Sequence, residues 1–392
     1  MHLTNSEKNL PTAVNRRYHR SVNGNDGKRE TFGSLSVHLT QNGQCKITLC
    51  CKENIFNLGG KKPAMQVLVT GADGMLGSQV VRLLIARGVE VHVLIHPSSR
   101  ASSLGGLPIR RFYGDILVPE SLDRAFSGAD MVVHAAASTA IWPARSEVVR
   151  KINVEGTLNV IGQVLNHGVR RMVYVGSASS VNTAGSPTGN QRFPGARFGL
   201  DYIDSKYEAL NLVLEAVKSR GLPALAILPT FMIGPWDTVP GSGKMILTLA
   251  EGRLKFYTKG GRNYIYAGDV AAAIVNSLEQ GEIGEYYVAG NENLTYHDFF
   301  MKVAGIVHRR PPRISVPCWM VKAAGMAGDL YGRLTGKPPM ISYPMALISC
   351  EKQYVSSEKA VRELSMPQTS IDTAINECYK WFIQSGYLKT KQ

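Results

Sequence analysis

A tyrosine and a lysine four residues apart, in the run Tyr202-Ile-Asp-Ser-Lys206, follow a serine, Ser177, that closes the apolar run VYVGS. Together these residue types can move a proton on and off a carbinol oxygen. A spacing of four puts the phenol and the ammonium on one helical face, where the positive charge favours the ionised phenol. The phenol then serves as general acid or base while the Ser177 hydroxyl hydrogen-bonds the same oxygen. Alone, such a pair is an ordinary exposed helix pair. It gains meaning from what precedes it in the chain.

That is the run VLVTGADGMLGS, residues 67–78, with glycines at 71, 74 and 77 between an apolar strand and a helix. Gly71, Gly74 and Gly77 permit a tight turn and close approach of backbone N–H groups to a pyrophosphate, with Met75 and Leu76 opening the helix whose N-terminus faces the anion. At the end of the next strand a fold selective for NAD usually presents a carboxylate to the ribose 2′-hydroxyl. Here the chain offers His96, Ser98, Ser99 and Arg100, and Glu90 comes too early in the strand. A guanidinium with neighbouring hydroxyls suits a 2′-phosphate, so NADP(H) is favoured, with NAD(H) as the alternative.

The positioning elements are legible as strands separated by single helices. Strands are expected over residues 66–70, 89–95, 109–113, 131–135, 171–176 and 224–229, and helices over 75–87, 120–126, 146–165 and 203–218. Near-continuous Val/Leu/Ile strands with single helical crossovers predict an α/β fold, a doubly wound parallel sheet covered on both faces. Residues 235–266 are rich in Gly, Pro and Lys, and helices follow over 296–307, 317–334 and 357–364. A last helix carries Ile371, Ala374, Ile375, Cys378, Trp381 and Phe382 on one face, Ser370 as its cap and Gly386 past its end. The expected organisation is a dinucleotide-binding part over 65–235, to which the chain returns at 264–290, and a smaller, mostly helical substrate part over 236–263 and 291–389.

The glycine spacing, the Tyr-Lys pair and the chain order resemble the extended short-chain dehydrogenase/reductase family, also called the NAD-dependent epimerase/dehydratase superfamily. The resemblance covers nearly all of residues 65–389. It implies a Rossmann fold, a catalytic set of Ser177, Tyr202 and Lys206, and Ser179 in reserve for Ser177. Lys206 would also hold the cofactor ribose. Asp115 and Ile116 after the third strand resemble the adenine-contacting segment. Ala135, Ala136 and Ala137 in HAAAS, residues 134–138, resemble the run beneath the adenosine and ribose. Pro229 and Thr230, in PTFMIGP, resemble the nicotinamide-lining segment, and AGDVA around Asp269 resembles the return to the sheet. NVEGTLN, residues 153–159, matches the long-helix motif, with a packing role ahead of cofactor contact. The nearest subgroups are dihydroflavonol-reductase-like and hydroxysteroid-dehydrogenase-like proteins and hopanoid-associated sugar-epimerase-like proteins. Nucleotide-sugar epimerases commonly carry an Asn where this chain has Thr230 and Phe231, and a basic residue after the Gly-Pro where it has Trp236 and Asp237. That weakens the sugar-nucleotide option. The loop Ser138-Thr139-Ala140-Ile141-Trp142 suggests an apolar substrate wall.

These features imply an NAD(P)-dependent oxidoreductase that reduces a ketone, or oxidises a secondary alcohol, on a largely apolar small molecule. The alternatives are a nucleotide-sugar epimerase or dehydratase with retained NAD, and a non-catalytic redox-sensing regulator, which would usually lose the Tyr or the Lys. Family homodimers through paired helices are common, though no residue here demands one.

Composition agrees with a folded globular chain. The chain has 392 residues, 44 Lys+Arg against 30 Asp+Glu, 44% hydrophobic and 19% charged residues, which excludes disordered and collagenous classes. Its six cysteines lack paired spacing, so neither a metal site nor a disulfide framework is expected, and a reducing, cytoplasmic setting fits. No apolar run reaches the roughly 18 residues of a membrane span. Residues 1–64 hold ten basic and four acidic residues without hydrophobic periodicity, so they are expected to be a disordered basic extension or a misassigned start. Three acidic residues there argue against a transit peptide, and the lack of interleaved aromatics argues against nucleic-acid binding.

Overall fold

The computed structural model describes residues 65–181 and 194–388, with the backbone of two strands at Leu35–Leu39 and Cys45–Leu49 that pair antiparallel. The remainder of 1–64, and with it the expectation of disorder there, lies outside the described residues. By compactness the chain divides into Met1–Pro63 and Ala64–Gln392.

Seven parallel strands form the centre of the second unit: β1 (Gln66–Thr70), β2 (Glu90–Ile95), β3 (Arg110–Tyr113), β4 (Met131–His134), β5 (Arg171–Val175), β6 (Ala224–Pro229) and β7 (Tyr286–Ala289). Their spatial order is β3-β2-β1-β4-β5-β6-β7. The order reverses between β1 and β4, and ligands of such sheets bind in the crevice outside the carboxyl ends at that reversal.

Successive side chains of a strand point to opposite faces, so each strand feeds two cores. Val67, Val69, Leu225 and Ile227 pack with helices α1 (Met75–Ala86) and α4 (Ala267–Asn276). Leu68, Val132, Ala226 and Leu228 pack instead with α2 (Gly156–Asn166) and α3 (Asp201–Arg220). All six residues of β6 are buried, as an interior parallel strand covered on both faces requires.

The expected helix over 146–165 is interrupted. Glu147–Arg150 is followed by one wide, π-type turn, Lys151–Glu155, before α2 begins. Such turns are frequent at functional sites, and this one carries Asn153. A second, four-stranded sheet that periodicity did not disclose is made of Phe231–Ile233, Gly261–Tyr266, Glu292–Thr295 and Lys352–Gln353. Its strands are short and come from distant parts of the chain. Helices α5 (Tyr296–Ile306) and α7 (Ile371–Gln384) pack around it, and between them in sequence runs α6 (Cys318–Thr335). The six expected apolar positions of α7 are all buried, and the Ser370 hydroxyl accepts from the Thr373 N–H at 3.3 Å.

Candidate active site

The crevice begins at the glycine turn. Gly71 has φ +66°, and a Cβ there would lie 2.5 Å from the backbone nitrogen of Ala136. The turn and the run after β4 therefore touch backbone to backbone. A Cβ at Gly77 would lie 2.1 Å from the Gly71 carbonyl oxygen. Gly74 differs: the nearest atom to a Cβ would be the Gly71 oxygen at 3.5 Å, so the protein's own packing does not demand glycine there. Gly74 is exposed and N-caps α1, whose first turn has no side-chain cap. The N–H groups of Met75, Leu76 and Gly77 thus lack intrahelical acceptors. Open space beside uncapped N–H groups fits a pyrophosphate.

Around this cradle the structure gathers the other expected residues. His96, at the end of β2, lies 3.5 Å from the Asp115 carboxylate and 2.7 Å from the Ser98 hydroxyl. Arg100 is exposed and forms no ion pair among the described residues. A carboxylate does reach this loop, from the glycine turn: Asp73 accepts the Ser99 hydroxyl, and its carbonyl accepts from Ser103 at 2.8 Å. Ile116 packs where a side chain on Gly156 would stand, 2.5 Å from its Cδ1, and its carbonyl accepts from Asn159 at 2.8 Å. The long-helix motif thus holds the Asp115–Ile116 segment from behind. The Ala135 and Ala136 N–H groups donate to the Thr70 carbonyl and hydroxyl, each at 3.2 Å. Thr230 donates its N–H to Ala289 and its hydroxyl to Asn263, each at 2.9 Å, continuing from Pro229 at the end of β6.

The chemistry-bearing side chains meet where β5 and α3 face each other. The phenol of Tyr202, on the first turn of α3, is half-buried beside the Ser177 hydroxyl. Burial pushes its pKa up, while Ser177 and then the positive charge of Arg262 pull it down. Ser177 also lies 2.8 Å from the Ser179 hydroxyl, so the reserve residue supports the first choice. Lys206 is buried, and its ammonium donates to the Val175 carbonyl at 2.9 Å. Burial lowers its pKa from 10.5 to about 8. Asn153, from the wide turn, donates to Ser205 at 2.9 Å and to the Ser138 carbonyl at 3.0 Å, and accepts the Ser138 N–H at 2.8 Å. It ties the loop after β4 to the helix of the Tyr-Lys pair. His134, buried between Thr70 and Thr157, has its pKa lowered to about 3 by burial and by the Lys206 charge, so it is a neutral strut.

Two contributors were not anticipated. Arg262 lies on a strand of the small sheet, its Nε donating to the Tyr296 hydroxyl at 2.7 Å and its guanidinium 4.8 Å from the Phe231 ring. No sequence spacing links it to Tyr202. Asp73 was visible in the glycine turn, but its proximity to Ser99 depends on how β1 and β2 pair. Trp236 and Asp237, which replace the basic residue of sugar-nucleotide enzymes, serve packing. Arg82 stacks 3.7 Å above the Trp236 ring, and the buried Asp237 carboxylate accepts from the Gly241 and Gly243 N–H groups.

Residues 67–290 match the sequence profile of the NAD dependent epimerase/dehydratase family. The chain belongs to that family. Sterol demethylase protein B of Methylococcus capsulatus is 29% identical over 330 residues, spanning 83% of this chain and all of that protein. A 2-alkyl-3-oxoalkanoate reductase of Stenotrophomonas maltophilia is 28% identical, covering 79% of this chain and 97% of its own. A nucleoside-diphosphate-sugar epimerase structure from Pseudomonas aeruginosa superposes with a TM-score of 0.69 at 25% identity, over 83% of this chain and 99% of that one. The chain is accordingly an enzyme of the epimerase/dehydratase superfamily, built on a Rossmann sheet that serves an NAD-type dinucleotide.

Proposed function

We propose that this enzyme reduces a ketone, or in reverse oxidises a secondary alcohol, on a largely apolar small molecule, with NADP(H) preferred. The observation that carries the reading is the half-buried Tyr202 phenol beside the Ser177 hydroxyl, with the buried Lys206 one turn along the same helix. When bound, the dinucleotide supplies or accepts the hydride. Met75, Leu76 and Gly77 would hold its pyrophosphate, Asp115 and Ile116 its adenine, and Lys206 its ribose hydroxyls. Arg100, with His96 and Ser98, would meet a 2′-phosphate. Tyr202, a phenol protonated at neutral pH, gives its proton to the carbonyl oxygen, and Ser177 hydrogen-bonds that oxygen. Relatives named as an oxoalkanoate reductase and a sterol demethylase protein support an apolar substrate.

One observation favours a second reading. The Asp73 carboxylate beside Ser99, in the loop that would meet the ribose 2′ group, together with the likeness to a sugar-nucleotide epimerase, suits retained NAD and an epimerase or dehydratase reaction. The purified enzyme decides between them. Release and identification of bound nucleotide, then NADPH consumption with a panel of apolar ketones, should show an exchangeable site and turnover. Tyr202→Phe should retain cofactor and lose turnover by roughly a hundred- to ten-thousand-fold. Tightly held NAD with no ketone turnover would support the epimerase, and a Tyr202→Phe enzyme within a few-fold of wild type would remove the assignment.

A further inference from the structure

Helix α6 is built the wrong way round for a helix in water. Its buried stripe is only Val321, Gly325 and Gly332. Its outward face carries Trp319, Met320, Met326, Leu330, Tyr331 and Leu334, with Trp319 71% and Leu334 78% exposed. At 100° per residue these six fall within an arc of about 140°, and between them the same face shows only alanines. An ordinary surface helix puts charge there. Phe256 and Ile314, paired across a two-residue ladder that precedes α6, are also exposed.

The rim of this face is positive. Arg309, Arg310, Arg313, Arg333 and Lys337 are exposed, and none has an acidic partner among the described residues. The one carboxylate in residues 299–350, Asp329, is half-buried and turned to the Tyr343 N–H at 3.3 Å. No described helix is long and apolar enough to cross a membrane. An apolar face with Trp and Tyr, bordered by unpaired Arg and Lys, is the arrangement of a helix that lies in a lipid interface.

We infer that α6 docks the enzyme on the surface of an anionic lipid bilayer, with its apolar face in the acyl boundary and its basic rim at the headgroups. A second copy of the chain is the poorer occupant, because a two-fold contact would set this basic rim against itself. The inference stands apart from the substrate assignment. It places the crevice near the bilayer all the same: a Cβ on Gly332 would stand 2.3 Å from the Trp142 ring, so the loop after β4 packs directly against α6.

The test is co-sedimentation of the full chain with phosphatidylcholine vesicles, with and without about 30% phosphatidylglycerol. The wild type should sediment with the anionic vesicles and be released by about 0.5 M salt. The double variant Leu330→Glu, Leu334→Glu should bind at least about tenfold more weakly with an unchanged thermal midpoint, and Arg313→Ala about fivefold more weakly. Brominated lipid should quench wild-type tryptophan fluorescence, and Trp319→Phe should remove the quenching. This arm holds even if the double variant misfolds. The proposal is overturned if the wild type ignores both vesicles, if quenching survives Trp319→Phe, or if light scattering shows a dimer that binds no lipid and separates in the double variant.

Discussion

Lys206→Met should make this enzyme inactive and more stable at once. Lys206 is 4% exposed, and burial holds its pKa down from 10.5 to about 8. At about 1.4 kcal/mol per pH unit, keeping the ammonium charged there at neutral pH costs roughly 3 kcal/mol of folding free energy. The substitution also removes the 2.9 Å donation to the Val175 carbonyl, a loss of about 1 to 2 kcal/mol. The remainder is a gain of about 1 to 2 kcal/mol, or about 2 to 4 °C in thermal midpoint. The pH dependence has a definite sign. Because the folded pKa lies below the unfolded one, the unfolded chain binds more protons between about pH 8 and 10.5, and wild-type stability rises with pH in that window. The penalty is complete below about pH 8, so the variant's advantage is full at pH 7 and fades toward pH 10.5. Thermal and urea unfolding of both proteins at pH 7 and 10 measures this, with NADPH fluorescence reporting cofactor binding. A variant several degrees less stable at pH 7, or an advantage that ignores pH, would refute the reasoning.

The glycine turn separates folding from binding. Gly74→Ala should fold normally and weaken dinucleotide binding at least about tenfold, whereas Gly77→Ala, whose Cβ would meet the Gly71 oxygen, should lower the thermal midpoint sharply; calorimetry and NADPH titration distinguish the two. Arg262→Met removes a charge that lowers the Tyr202 pKa, so the limb of alcohol oxidation that rises with the phenolate should move to higher pH, as a pH-rate profile would show. Arg100→Ala should weaken NADPH binding by about 1.5 to 3 kcal/mol and leave NADH nearly unchanged, by direct titration; equal losses would show that the guanidinium does not meet a 2′-phosphate. A chain beginning at Met65 should keep the thermal midpoint and activity of the full chain; loss of several degrees would mean that the upstream residues pack on the enzyme.

The parallel sheet was legible because β1, β4, β5 and β6 are short runs of apolar residues separated by single helices, a pattern fixed by local periodicity and crossover length. Gly71, Gly74 and Gly77 could be assigned a turn for the same reason: a glycine's freedom is a property of one position. The six buried positions of α7 and its Ser370 cap followed from helical spacing alone. Local rules failed where chemistry depends on residues brought together from far apart. The Arg262 charge acts on Tyr202 only because the strand Gly261–Tyr266 joins Phe231–Ile233 in a sheet too short to leave a periodic trace. Asp73 arrives beside Ser99 through the pairing of β1 with β2, and Asn153 reaches Ser138 and Ser205 through a wide turn inside an otherwise continuous apolar helix pattern. The basic and apolar mixture of residues 317–334 is plain in the sequence, but only the fold shows which apolar residues of α6 are left without cover. Sequence specifies which groups are present and how neighbours are spaced. Burial, and the electric field that each group feels, belong to the assembled chain, because dielectric environment and charge separation are set by atoms distant in sequence.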